Sequence, residues 1–401
     1  MKKVLIFSLA YFPKHVGGAE IAIKEKTDRM PGIEFHMICL GYDSSLPRTE
    51  TIGNVHVHRI GFTRKDPSMA DLRHFPLHLN KFWYQSAAVW AALALHRKHH
   101  FDATWAMMAH SCGVPAALFK LFNPRIPFIL ELQEGDPPEQ VERLALPVWP
   151  LFVRAFTSAD VISVISTFLG QWAKRRGARG EVVLVPNAVD YVHFSRPVER
   201  SALTEVRNKL DKKMGDVFLI TTSRLVIKNA VDDVIRALVD LPNNVRFIVL
   251  GTGPEEAKLR RLAADSGVEE RVTFVGYVGH TDMPVYLQAS DIFVRASRSE
   301  GMGNSFLEAM AAGLPVIATQ EGGIADFLFD VKRDPDKVTT GWAVDKDSPL
   351  QIAAAVRRVV EDPEHAKTVA RDAQEMVRER YDWNIIARKM QNEVFGKVLD
   401  G

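Results

Sequence analysis

Ser299-Glu300-Gly301-Met302-Gly303-Asn304-Ser305-Phe306-Leu307-Glu308-Ala309-Met310-Ala311-Ala312-Gly313-Leu314-Pro315-Val316-Ile317-Ala318-Thr319 is the most informative stretch of the chain. The apolar run Ile292–Ala296 precedes it, and it ends in a second one, Val316–Thr319. Strand, glycine-containing loop, helix and strand in that order make the repeating unit of a parallel sheet. Gly301 and Gly303 let the backbone approach a ligand closely. Asn304 or Ser305 suits the helix N-cap, so the free amides of the first turn face the loop, as at sites for an anion such as a diphosphate. Glu308 sits about one turn inside, within reach of hydroxyls on whatever bears the phosphates. Glu300 lies on the loop at the carboxyl end of a strand, where open α/β sheets take their ligands. By spacing alone, a solvent-facing glutamate pair beside an ordinary turn accounts for the pattern equally well.

Outward from this stretch the same alternation continues in both directions. Upstream, Val217–Thr222, Arg246–Leu250 and Val272–Gly276 read as buried strands separated by helix-length segments. A second series comprises Lys3–Ser8, Glu34–Leu40, Val55–Ile60, Ala103–Met107, Phe128–Leu132, Val161–Ile165 and Val182–Val185. Continuous apolar strands mean sheets covered on both faces, so two series predict two doubly wound α/β domains. The stretch Asn187–Glu199, rich in turn-forming residues and without apolar periodicity, reads as the linker. Ser201–Lys213 reads as the first helix of the second domain, and Tyr381–Leu399 as a terminal amphipathic helix. The expected division is therefore 1–190, 191–380 and 381–401.

Composition narrows the function classes. The 401 residues are 47% hydrophobic and 25% charged, with a net charge of +2, so neither disorder nor a strongly basic nucleic-acid-binding domain is indicated. Two cysteines, Cys39 and Cys112, provide no disulfide framework and fit a reducing cytoplasm. His96, His99 and His100 lack metal-ligand spacing and read as a polar helix end. No apolar run reaches the ~20 residues of a spanning helix. No GxGxxG opens a helix after the first strand, which disfavours a nicotinamide-dependent dehydrogenase.

Glu300 and Glu308, separated by seven residues, followed by Glu-Ala-Met-Ala-Ala-Gly-Leu-Pro-Val-Ile-Ala-Thr and Gly322-Gly323, resemble glycosyltransferase family 4. Tyr11-Phe12-Pro13 with Gly17-Gly18-Ala19-Glu20, Val185–Asp190, Ser223-Arg224-Leu225-Val226, Gly251–Pro254 and Tyr381-Asp382-Trp383 extend the likeness, in order, over nearly the whole chain. The resemblance implies a GT-B fold of two facing Rossmann-like domains, the first for acceptor and the second for nucleotide sugar, with a terminal helix crossing back to the first. It implies retaining transfer of a sugar from a UDP- or GDP-linked donor to an acceptor hydroxyl in polysaccharide, glycolipid or other glycoconjugate synthesis. The donor is a co-substrate; no metal or other cofactor is expected.

Position by position, the resemblance gives Glu308 the ribose hydroxyls and Glu300 the transferred sugar. Arg224 goes to the diphosphate, as does the backbone at Gly17 and Gly18, and amides around Asn304, Ser305, Phe306 and Leu307 go to phosphate or sugar. Relatives commonly carry Lys-Gly where this chain has Asn229-Ala230, so the neighbouring Lys228 is the expected second phosphate contact. Where relatives commonly carry an active-centre histidine, this chain has Gln133, which orients sugar or acceptor but moves no proton. Asp136 or Glu134 is left for proton work, unless the departing phosphate takes the proton. His110 is either an acceptor or sugar contact or a structural histidine.

Ser68–His100 carries Phe75, Lys81, Phe82, Trp83, Tyr84 and Trp90. The favoured reading is a helix whose aromatics fill the core; the alternative is a lipid interface, bringing a lipid-linked acceptor and contact with the inner membrane face. An epimerase or phosphorylase of the same fold, or a non-catalytic sugar-nucleotide-binding partner, remains as the competing function.

Overall fold

All twelve apolar runs form strands, with ends displaced by at most one residue. The computed structural model describes residues 1–14, 17–68 and 71–399. It contains two compact units, Met1–Asn187 with Trp383–Gly401, and Ala188–Asp382. The divisions thus fall within a few residues of those expected. The expected linker is not one, because the residues after Asn187 belong to the second unit. There Asp190 caps the short helix Tyr191–Ser195 by accepting from the His193 amide at 3.0 Å, and Phe194 is fully buried.

The first unit is built on β1 (Lys2–Phe7), β2 (Ile33–Leu40), β3 (Thr49–Ile52), β4 (Val55–Ile60), β5 (Ala103–Met107), β6 (Phe128–Leu132), β7 (Val161–Val164) and β8 (Glu181–Leu184). Their order across the sheet is β3-β4-β2-β1-β5-β6-β7-β8, and only the β3–β4 pair is antiparallel. Helices cover both faces, so all of β5 is buried. The core of this unit includes a fully buried ion pair: Lys26 Nζ meets Glu131 Oε1 at 2.6 Å, and Trp105 Nε1 donates to Glu131 Oε2 at 2.9 Å. The expected terminal helix is three pieces, Trp383–Met390, a π-helical turn Gln391–Phe395 and Gly396–Leu399. Phe395 packs edge-on against Phe35 and Trp105, which fixes this segment to the first sheet.

The second unit contains β9 (Val217–Thr222), β10 (Val245–Leu250), β11 (Val272–Gly276), β12 (Ile292–Arg295), β13 (Val316–Thr319) and β14 (Trp342–Val344). This all-parallel sheet runs β11-β10-β9-β12-β13-β14. The order reverses direction between β9 and β12, which makes their carboxyl ends a topological switch point. In the first sheet the corresponding reversal lies between β1 and β5.

One expectation is corrected. The helix Asn80–His99 does not place its aromatics in the core. Tyr84 alone is buried there, with its hydroxyl 3.0 Å from the Ser8 carbonyl oxygen. Phe82 is 83% exposed and Trp90 72%, while Trp83 and the preceding Phe75 are also exposed. Among the described residues no helix is long and apolar enough to cross a membrane.

Candidate active site

Arg295, at the end of β12, organises the second unit's switch point. Only 5% exposed, its guanidinium donates to Glu300 Oε2 and Ser305 Oγ at 2.7 Å each, to Ser297 Oγ at 3.1 Å and to the Thr222 carbonyl at 3.2 Å. It also lies 4.2 Å from the Phe306 ring centroid. Burial pulls this guanidinium down from its ordinary value, against the upward pull of Glu300 and Glu308. Glu300 is therefore a carboxylate held in place by a buried cation. Sequence reading missed Arg295, although a charged residue inside the apolar run Ile292–Ala296 was the available signal.

The helix Asn304–Ala311 starts one or two residues earlier than an Asn304 or Ser305 cap implies. Gly303, with φ of +88°, is the N-cap, and no side chain caps the helix. The Ser305 hydroxyl is taken by Arg295, the Phe306 amide donates to the Gly303 carbonyl at 3.1 Å, and the Phe306 and Leu307 side chains are buried. What remains of the expected amide cradle is the loop-facing end of the first turn around Asn304 and Ser305. Glu308 is half-buried one turn on, with His280 Nε2 3.7 Å from its Oε1. The backbone of Glu300 is fixed by Gly322 and Gly323. Gly323 N–H donates to the Glu300 carbonyl, and a Cβ on Gly322 (φ +62°) would lie 1.9 Å from that oxygen.

Across the switch point, the loop after β9 carries Arg224 on its exposed side. Its backbone is set by Leu225 N–H to the Thr252 carbonyl at 3.0 Å, an approach possible because Gly251 (φ +129°) has no Cβ to strike Ser223. Asn229 is buried and donates to the Arg224 carbonyl at 2.6 Å. It is thus a loop brace. Ala230 takes the left-handed conformation, φ +51°, that a glycine adopts without strain. Lys228 is half-buried, and its carbonyl accepts from the Arg298 amide at 2.7 Å. The Arg298 side chain, also missed from sequence, binds Asp232, Asp233, Asp347 and the Ile227 carbonyl, tying the loops after β9 and β12 together. The buried hydroxyls of Thr221, Thr222 and Ser223, at the end of β9, have no hydrogen-bond partner among the described residues. Buried polar groups without partners are rare, and these lead directly to Arg224.

In the first unit, Gly17 and Gly18 follow β1, His110 follows β5, and Gln133 and Asp136 follow β6. Gly18 opens the helix Gly18–Asp28 with nothing within 4 Å of where a Cβ would stand. The Gly17 amide already donates to Glu20 Oε2 at 2.7 Å, so it is engaged by the protein's own carboxylate. Two residues of the same loop, His15 and Val16, lie outside the described residues.

Gln133 does not fit its expected role. It is buried, its Nε2 donates to Glu131 Oε1 at 2.7 Å and to Asn187 Oδ1 at 2.9 Å, and its Oε1 accepts from Asn187 Nδ2 at 2.8 Å. Both amide hydrogens are used, so Gln133 braces β6 and is not a substrate contact. His110 is half-buried in the π-helical turn Ala109–Gly113. Burial lowers its pKa, partly offset by a hydrogen bond to the Leu144 backbone. Asp136 is exposed.

Glu134 is the unusual carboxyl of this unit. Its Oε1 accepts from the Ala109 amide at 2.6 Å, while its buried Oε2 has no hydrogen-bond partner among the described residues. Burial raises its pKa from 4.5 to about 7, against the lowering effect of backbone amides. The native carboxyl thus keeps its proton at pH values where the unfolded chain has lost it. Its stabilising contribution is full below pH 4.5 and lost as pH rises to about 7. Glu134→Gln keeps the bond to Ala109 and removes the charge. Its expected effect at pH 8 is stabilisation by about 3 kcal/mol, shrinking to a small fraction near pH 5, read from denaturant melts at both pH values.

Two family models match the chain over well separated stretches: residues 27–188 match the glycosyl transferase 4-like domain, and residues 204–376 match the glycosyl transferases group 1. The likeness to glycosyltransferase family 4 is thus borne out along most of the chain. Among curated family relatives, a GDP-mannose-dependent alpha-(1-6)-phosphatidylinositol monomannoside mannosyltransferase of Mycobacterium tuberculosis is 30% identical over 249 residues, 59% of this chain. The match spans only 62% of that relative's length. An alpha-monoglucosyldiacylglycerol synthase of Streptococcus pneumoniae is 31% identical over 139 residues, 34% of this chain and 32% of that protein. Among solved structures, Anabaena HepE in complex with UDP and glucose superposes with a TM-score of 0.75 at 21% identity, covering 98% of this chain and 100% of that one. Sucrose-phosphate synthase from Thermosynechococcus elongatus gives 0.79 at 20% identity, covering all of both chains. These likenesses establish the GT-B fold class of two Rossmann-like α/β units.

Proposed function

We propose that this chain transfers a sugar from a UDP- or GDP-linked donor to an acceptor hydroxyl, with retention at the anomeric carbon. The observation that carries the reading is the second unit's switch point. There exposed Arg224, half-buried Glu300 and Glu308, and the start of the helix Asn304–Ala311 all flank the carboxyl ends of β9 and β12.

In this reading Arg224 and Lys228 hold the diphosphate, with the amides around Asn304 and Ser305 as neutral donors. A fixed cation there stabilises the negative charge that develops on the departing nucleotide. Glu300, locked by Arg295, receives the sugar hydroxyls in a fixed orientation, and Glu308 receives those of the ribose. The bond from the anomeric carbon to the phosphate oxygen breaks as a bond to the acceptor oxygen forms. The acceptor's proton passes to the departing phosphate oxygen, so the products are the glycoside and the nucleoside diphosphate. The first unit handles the acceptor, with His110 and Asp136 at the carboxyl ends of its strands. No metal enters the reaction as proposed.

Exposed Phe75, Phe82, Trp83 and Trp90, with exposed Lys81, Arg97 and Lys98 on the same helix or beside it, favour a lipid-linked acceptor and peripheral contact with a membrane surface. The names of the mannosyltransferase and glucosyldiacylglycerol synthase relatives support the same acceptor class. The test is incubation with GDP-mannose or UDP-glucose and vesicles containing phosphatidylinositol or diacylglycerol, in EDTA. Release of the nucleoside diphosphate together with an α-linked glycolipid supports the reading. Release without a glycosylated product, or an inverted product, contradicts it.

A further inference from the structure

Away from the strand ends that form the candidate active site, the first sheet carries a cluster of imidazoles. Glu34 and His36 are two residues apart on β2 and share a face, as do His56 and His58 on β4. His36 is in register with His56, and the two rings lie 4.9 Å apart. His99, from the last turn of the helix Asn80–His99, closes over them with its ring 4.3 Å from that of His36. His36 Nε2 is 2.8 Å from Glu34 Oε1, and His36 Nδ1 is 3.1 Å from His58 Nε2. One ligand-type atom from each of Glu34, His36 and His99 lies within 4.8 Å of the other two.

We infer that Glu34, His36 and His99 form a binding site for a divalent transition metal of the zinc class, with His58 as the outer partner that orients His36. Zinc accepts imidazole nitrogen and carboxylate oxygen at about 2.0–2.2 Å, which puts ligand atoms about 3.3 Å apart in a tetrahedral shell. Small side-chain rotations bring the three atoms from their present spread to that separation. Metal-bound imidazoles characteristically give their second nitrogen to a hydrogen-bond partner, and the His36–His58 contact supplies that arrangement.

Lys3 Nζ lies 3.3 Å from Glu34 Oε1, and its partly exposed side chain can swing into solvent as a metal enters. His99 and Glu34 are half-buried and His56 is exposed, so the site opens to solvent on one side. The three ligands lie in the amino-terminal half of β2 or at the helix end, away from the strand carboxyl ends that lead to Gly18 and His110. The role that follows is structural: the metal fastens the end of the aromatic helix to the sheet, independently of sugar transfer.

The test uses the full chain without a polyhistidine tag, dialysed against zinc and then analysed by elemental mass spectrometry and by melting. The expected result is one zinc per chain retained after desalting and a melting temperature that rises with zinc. Cobalt in its place gives visible absorption bands of tetrahedral strength. His99→Ala and Glu34→Gln, both at partly exposed positions, each weaken binding at least tenfold, whereas Lys98→Ala leaves it unchanged. Failure of the natively melting protein to take up stoichiometric zinc, or equal binding by both ligand variants, overturns the inference.

Discussion

Arg295→Met is expected to lower the stability of the protein by about 3–5 kcal/mol, the usual cost of removing one partner from a buried ion pair. The guanidinium it removes satisfies Glu300, Ser305, Ser297 and the Thr222 carbonyl at once and covers the face of Phe306. Methionine has the length to fill the space over Phe306 but leaves the Glu300 carboxylate without its cation. Since most domains are stable by only about 5–15 kcal/mol, much of the folding free energy is at stake. Denaturant titration followed by fluorescence measures it directly. Residual activity at low temperature should also fall, because Glu300 is no longer fixed. A variant with wild-type stability would mean that Arg295 does not carry the switch point.

Arg224→Ala is expected to do the reverse. The residue is exposed, and its loop is held by backbone hydrogen bonds to Thr252 and by buried Asn229, none of which involve the guanidinium. Melting should therefore stay within a degree or two of wild type. The rate of sugar transfer should fall about 10²–10³-fold, as when one preorganised stabiliser of developing charge is removed. The loss should lie mainly in kcat, because the charge on the departing nucleotide grows in the transition state. Arg224→Lys restores the charge without the two-pronged geometry and should recover only part of the rate. Unchanged turnover in Arg224→Ala would remove this residue from the donor site.

The strand pattern was legible because parallel strands buried on both faces must be apolar throughout. β3 and β14 escaped for opposite reasons. β3, Thr49-Glu50-Thr51-Ile52, is a polar edge strand with no buried residue, and β14 is three residues long. The aromatics of the helix Asn80–His99 misled because aromatic residues are far more often core than surface, and only burial separates the cases. Gln133 looked like a substrate contact because its partner, Asn187, is 54 residues away, and sequence does not reveal a reciprocal amide pair at that distance. His99 was read with its chain neighbours His96 and His100, yet its ring meets His36 of another element. Side chains that act through long-range partners are what local pattern leaves hidden; loops at strand ends, where Arg224 and Glu300 lie, and the helix start that carries Glu308 are what it reveals.

The most direct test of the central claim is thermal unfolding of the wild-type chain and Glu308→Gln with UDP-, GDP- and ADP-sugars in EDTA. A donor at about 100 times its dissociation constant stabilises the native state by about 2.7 kcal/mol, several degrees in melting temperature for a unit of this size. The account predicts such a shift from one UDP- or GDP-linked class, and its loss or marked reduction in Glu308→Gln. No shift with any nucleotide sugar in a cooperatively melting sample, or a shift that Glu308→Gln leaves intact, would contradict a donor site at the β9–β12 switch point.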